Sequence, residues 1–112
     1  MIHYWILDER GEVLSADAGT WAQWLGSANR QVARTVTAGW TVSTVFIGIA
    51  AGRDSKGRPR LWETRVFDQR KKSRRERHYG SREEALAGHE AAVATIPHVL
   101  QERYDRRKRG RS

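Results

Sequence analysis

Apolar and polar positions along the chain change period several times, and each change marks an element. Residues 2–7, Ile-His-Tyr-Trp-Ile-Leu, alternate weakly and are rich in aromatic and β-branched types, which predicts a first strand. Asp8-Glu9-Arg10-Gly11-Glu12 then predicts a turn. Trp21, Trp24, Leu25 and Ala28 recur at the i, i+3, i+4, i+7 spacing of one helical face. Thr20-Trp21-Ala22-Gln23 fits a capping box, so a first helix is expected over 20–28. From Gln31 the period shortens to two: Val32, Arg34 and Val36 alternate with Ala33, Thr35 and Thr37, and Ala38-Gly39 offers a tight turn.

Trp40 to Ile49 is the strongest strand signal, apolar on both alternations from Val45 onward, as expected of a central strand covered on two sides. Residues 52–59 are a polar loop dense in turn formers. Leu61–Phe67 and Arg74–Tyr79 predict a further strand pair, with 68–73 as the hairpin tip. Ser81-Arg82-Glu83-Glu84 is a second capping box, its acids placed where the helix dipole favours them. Ala85, Leu86, His89, Ala92, Val93 and Ile96 form the apolar stripe of that helix, which Pro97 is expected to end or kink near Thr95. No internal repeat is visible. The expected order is β-α-β-β-β-β-α: an α+β fold, with an antiparallel sheet of four to five strands and two helices on one face. A single domain is expected over 1–100, followed by a basic, disordered tail over 101–112.

Charge changes this picture. The chain of 112 residues carries 21 Lys and Arg against 13 Asp and Glu, a formal net charge of +8. Residues 53–82 alone hold twelve cations and four acids, and residues 101–112 hold six and two. Everything else is mildly acidic, which produces a directional field rather than a uniform one. The absence of cysteine excludes disulfides, thiolate catalysis and Cys-based metal centres. The longest nearly apolar run, residues 42–51, is well short of the roughly 20 residues a membrane-spanning helix needs. No signal peptide is visible, so a cytoplasmic protein with no membrane association is expected.

Six stretches resemble a family of small uncharacterised proteins from tailed phages and prophages. They are Tyr4-Trp5-Ile6-Leu7-Asp8, Trp21-Ala22-Gln23-Trp24, Val32-Ala33-Arg34-Thr35, Ser43-Thr44-Val45-Phe46-Ile47-Gly48, Glu63-Thr64-Arg65-Val66-Phe67 and Glu84-Ala85-Leu86-Ala87-Gly88-His89. The resemblance implies a phage or prophage setting, hence the host cytoplasm, and brings no activity with it. Segment 69–77 is more basic here than the equivalent loop of that family.

The sharpest chemical candidate is that segment. Arg70, Lys71, Lys72, Arg74, Arg75 and Arg77 place six cations in eight residues, suited to neutralising phosphates with release of counterions. Trp62, His78 and Tyr79 nearby offer stacking surfaces. Arg106, Arg107, Lys108 and Arg109 extend the charge from the tail. The leading expectation is therefore a non-enzymatic accessory protein that binds DNA or RNA with little sequence preference, its cations forming one continuous strip. A solvated hairpin tip is the plainer alternative. A double-stranded-RNA-binding architecture fits poorly, because Glu83 and Glu84 occupy the start of the last helix.

A second class is a protein-binding module that modulates a host protein, with Trp5, Trp21 and Trp24 as interface candidates beside their role in packing. A third is a small enzyme centred on His89 and Glu63, against which stands a buried histidine bonded to a sheet residue. Arg34, Glu63, Arg65 and His89 are the candidates for a polar cluster, and no metal site or cofactor is expected.

Overall fold

A computed structural model of the chain describes residues 2–109, with side chains described as far as Ile96. The elements are β1 (Tyr4–Leu7), β2 (Val13–Ala16), α1 (Ala18–Ser27), β3 (Gln31–Thr37), β4 (Trp40–Phe46), β5 (Trp62–Phe67), β6 (Ser73–Tyr79) and α2 (Arg82–Arg109). Strands β3-β4-β5-β6 form an antiparallel sheet in sequence order, and β1 and β2 form a separate hairpin. The fold is α+β, with one strand more than the periodicity predicts. β2 escapes a search for alternation because Val13, Leu14 and Ser15 are all exposed. Its signal is the Asp8–Glu12 turn flanked by Ile6-Leu7 and Val13-Leu14, which pair directly.

The core lies between the sheet and α2. Trp40, Val42 and Val66 meet Ala92 and Ile96, while Phe46, Leu61 and Trp62 meet Ala85 at the helix N-terminal end. Each large side chain fully buried in this way contributes about 1.5–3 kcal/mol. Trp5, Leu7 and Trp24 close that second cluster from β1 and α1, Trp24 meeting Phe46 edge-on with 5.6 Å between ring centroids. Regular pairing in β4 stops at Phe46 rather than Ile49, because Gly48 takes φ +70° and accepts a hydrogen bond from the Trp5 amide (2.8 Å). The β1–β2 hairpin is anchored there.

Two helix boundaries differ from expectation. α1 begins a turn earlier than the capping box suggests: Asp17 is its N-cap and accepts from the Thr20 amide (2.7 Å). Capping pulls the Asp17 carboxyl below its ordinary value, chiefly through that bond. α2 does not end near Thr95 but runs through Pro97 to Arg109. A proline removes one backbone donor, a local cost of about 3 kcal/mol, and Leu100-Gln101-Glu102-Arg103 beyond it are all good helix formers. Where the tail was expected over 101–112, the backbone as far as Arg109 continues α2; the side chains of Arg106, Arg107, Lys108 and Arg109 lie outside the described residues.

Candidate nucleic-acid interface

The tip of the β5–β6 hairpin is built by a turn that the chain uses three times. Asp68 N–H donates to Lys72 O (2.9 Å) and Lys71 N–H to Asp68 O (3.0 Å), while the Asp68 carboxylate accepts from the amides of Arg70 (2.9 Å) and Lys72 (3.0 Å). The same four bonds close Asp8–Glu12 and Asp54–Arg58. In those two turns the fourth position is glycine with positive φ, +79° at Gly11 and +78° at Gly57. At the basic tip the residue with φ +65° is Lys71. A side chain there crowds its own carbonyl, at a cost of about 1 kcal/mol. Arg70, Lys71 and Lys72 are all exposed around it.

The cations beyond the tip do not form one strip. Val66 pairs with Arg75, Thr64 with Arg77 and Trp62 with Tyr79, so these β6 residues share the sheet face that α2 covers. Arg65 pairs with Glu76 and Glu63 with His78 on the opposite face. Arg74 is the extra residue of a bulge, and its guanidinium stands 3.9 Å from the Asp68 carboxylate. Strand pleating thus divides a run that is continuous in sequence. On the half that faces α2, Arg75 and Arg77 are exposed and form no ion pair with any described carboxylate.

The opposite face carries a closed polar cluster. Arg65 donates to Glu63 (2.5 Å) and Glu76 (3.2 Å), and His78 Nε2 lies 3.1 Å from Glu63 and 3.5 Å from Glu76. Its guanidinium is held above its ordinary pKa, first by the hydrogen bond to Glu63. Glu63, Glu76 and His78 bring three ligand-type atoms within 4.8 Å of one another, but Arg65 already supplies the counter-charge to both carboxylates. The sequence identifies Glu63 and Arg65 and misses Glu76 and His78, whose membership depends on cross-strand register. Arg34 shares the row through Ser43, yet makes no ion pair among the described residues.

His89 is not part of that cluster. It sits on α2 at 1% exposure, against the other face of the sheet. Its Nε2 lies 2.9 Å from Thr35 Oγ1 and its Nδ1 lies 2.8 Å from Thr44 Oγ1, which in turn lies 2.6 Å from Thr64 Oγ1. Pairing with Glu63 as an acid–base couple is excluded, because neighbouring strand residues Glu63 and Thr64 project to opposite faces. Burial pushes the imidazole below its ordinary pKa, against a smaller upward pull from Glu90.

The three tryptophans proposed as interface residues are half-buried and engaged within the chain. Trp21 donates to Ile47 O (3.3 Å) and lies 5.0 Å from Tyr4 between ring centroids, while Trp5 and Trp24 pack on the core. At the other end of α2, Arg58 bonds both Asp54 (2.8 Å) and Glu84, tying the 52–59 loop to the helix start. None of the described helices is long and apolar enough to cross a membrane. No protein-family model, curated protein or solved structure matches the chain.

Proposed function

We propose that this is a non-enzymatic accessory protein, of the phage or prophage type its motifs resemble, that binds nucleic acid in the host cytoplasm with little sequence preference. The observation that carries the reading is Lys71. Two turns of identical hydrogen bonding use glycine at this position, and the basic tip holds a lysine there at positive φ. Positive φ alone does not carry it, since Ala38 takes φ +51° in the β3–β4 hairpin turn. Glycine serves the fold at this position in both sister turns, which points to a role for the lysine side chain. Arg70, Lys72, Arg75 and Arg77 extend the positive surface on the tip and on the α2 side. The acidic remainder of the chain orients the approach of a polyanion toward that end.

The test is the salt dependence of binding to DNA and RNA duplexes and single strands of unrelated sequence. With about five phosphate contacts, the slope of log K against log salt is near −4, and affinity falls by more than a hundredfold between about 50 and 200 mM salt. A flat salt response, or a strong preference for one sequence, overturns the proposal. Lys71→Gly provides a second check with opposite signs. It stabilises the fold by about 1 kcal/mol in chemical denaturation, by relieving the left-handed backbone, and weakens nucleic-acid binding by about one phosphate contact. A glycine variant that binds as tightly as the parent removes the functional meaning of the strain.

A further inference from the structure

α2 lies over β3, β4 and β5 and reaches least onto β6, the edge strand. The gap it leaves is a cavity of about 460 Å³. On the strand side it is lined by Arg75, Arg77 and Tyr79, and on the helix side by Ala87, Gly88 and Ala91. We propose that this groove seats a nucleobase of a single-stranded nucleic acid, with Arg75 and Arg77 holding phosphates on either side of it. The proposal rests on the nucleic-acid reading above and adds to it the form of the ligand and the place it enters.

The two walls suit the two halves of a nucleotide. Small side chains make the helix wall shallow and apolar, a surface on which a flat ring lies without displacing anything. Gly88 is required for that shape: a Cβ there would fall 2.1 Å from the Tyr79 hydroxyl, so the phenol lies directly across the helix and closes one end of the groove. The strand wall is cationic. Arg75 and Arg77 are alternate residues on one face, about 6.6 Å apart along the strand, and neither is engaged by a described carboxylate. On the opposite face Arg65 is paired with Glu63 and Glu76, so among the described residues the cations of β6 that have no carboxylate partner are the two on the groove side.

Charged residues on an edge strand also discourage sheet-to-sheet aggregation. That role accounts for cations on β6 but not for a lined cavity beside them. The volume falls in the range of small-ligand pockets, about 300–1,000 Å³, enough for one base and its sugar. A duplex keeps its bases stacked inside and presents none to the groove.

Fluorescence anisotropy with a ten-residue oligothymidylate, an abasic strand of equal phosphate number and a duplex tests the idea. The oligothymidylate is expected to bind about tenfold more tightly than the abasic strand, the gain of stacking one base. Ala91→Leu fills the groove from an exposed position that the core does not use. It abolishes that tenfold difference while leaving duplex affinity unchanged, and Arg77→Gln weakens the oligothymidylate more than the duplex. Equal binding of the abasic strand overturns the proposal, as does an Ala91→Leu protein that retains the preference. Competition by oligoglutamate as effective as that by oligothymidylate assigns the groove to an acidic peptide and overturns it too. In each of these cases duplex binding with a steep salt dependence would leave the broader nucleic-acid reading standing, whereas failure of every nucleic acid to bind removes both.

Discussion

Replacing Arg70, Lys71 and Lys72 together by glutamate lowers affinity for single- and double-stranded nucleic acid by at least about a hundredfold at roughly 100 mM salt. Each phosphate contact releases close to one counterion, and at that salt concentration each release is worth nearly tenfold in affinity. Three lost contacts therefore give between a hundredfold and a thousandfold, and the introduced carboxylates add repulsion. The salt slope falls by about 2.7 at the same time. Folding is untouched by the change, because the tip is closed by backbone amides and the Asp68 carboxylate rather than by the three substituted side chains. A thermal melt superimposable on that of the parent is the control. Unchanged retention on both DNA and RNA would make the tip a solvated turn and nothing more.

The parts of this fold legible in the sequence are those with local causes. Ala38-Gly39 sits between two alternating runs, and the β3–β4 hairpin forms there, Thr37 pairing with Trp40. Ser81 caps α2 through its hydroxyl, which accepts from the Glu84 amide (3.1 Å), as the capping box at that point predicts. Other features depend on register, which one strand does not carry by itself. The bulge at Arg74 shifts the phase of β6 by a residue, and only that phase decides which guanidinium groups face α2. Glu76 and His78 join Glu63 and Arg65 for the same reason. Lys71 was visible as a charge but not as strain, since its φ follows from the likeness of three turns whose sequences share little beyond the first aspartate. The groove depends on the lateral position of a helix over a sheet, a tertiary quantity with no short-range signal.

His89→Ala is expected to destabilise the protein by about 3–5 kcal/mol, the cost of a core cavity added to buried hydroxyls left without partners. One direction of hydrogen bonding accounts for the network: Thr64 donates to Thr44, Thr44 donates to His89 Nδ1, and His89 Nε2–H donates to Thr35. The reverse direction would leave the hydrogen of the buried Thr64 hydroxyl without an acceptor among the described residues. The imidazole must then be neutral, in agreement with the downward push of burial on its pKa. The sign of the pH effect follows. The unfolded chain takes up this proton near the ordinary value of 6.5 and the folded chain only at lower pH. Stability is therefore complete above that value and is lost as pH falls through the interval down to the folded pKa. Urea denaturation at pH 7.5 and at 5.5 measures the loss, and the difference between the parent and His89→Gln isolates it from the other histidines. His89→Leu keeps most of the volume but removes the acceptor of Thr44, so it destabilises by about 1–3 kcal/mol, and adding Thr44→Val and Thr64→Val recovers part of that. If the triple variant is no more stable than His89→Leu alone, the contribution of His89 is packing, and the directional chain of hydroxyls plays no part in it.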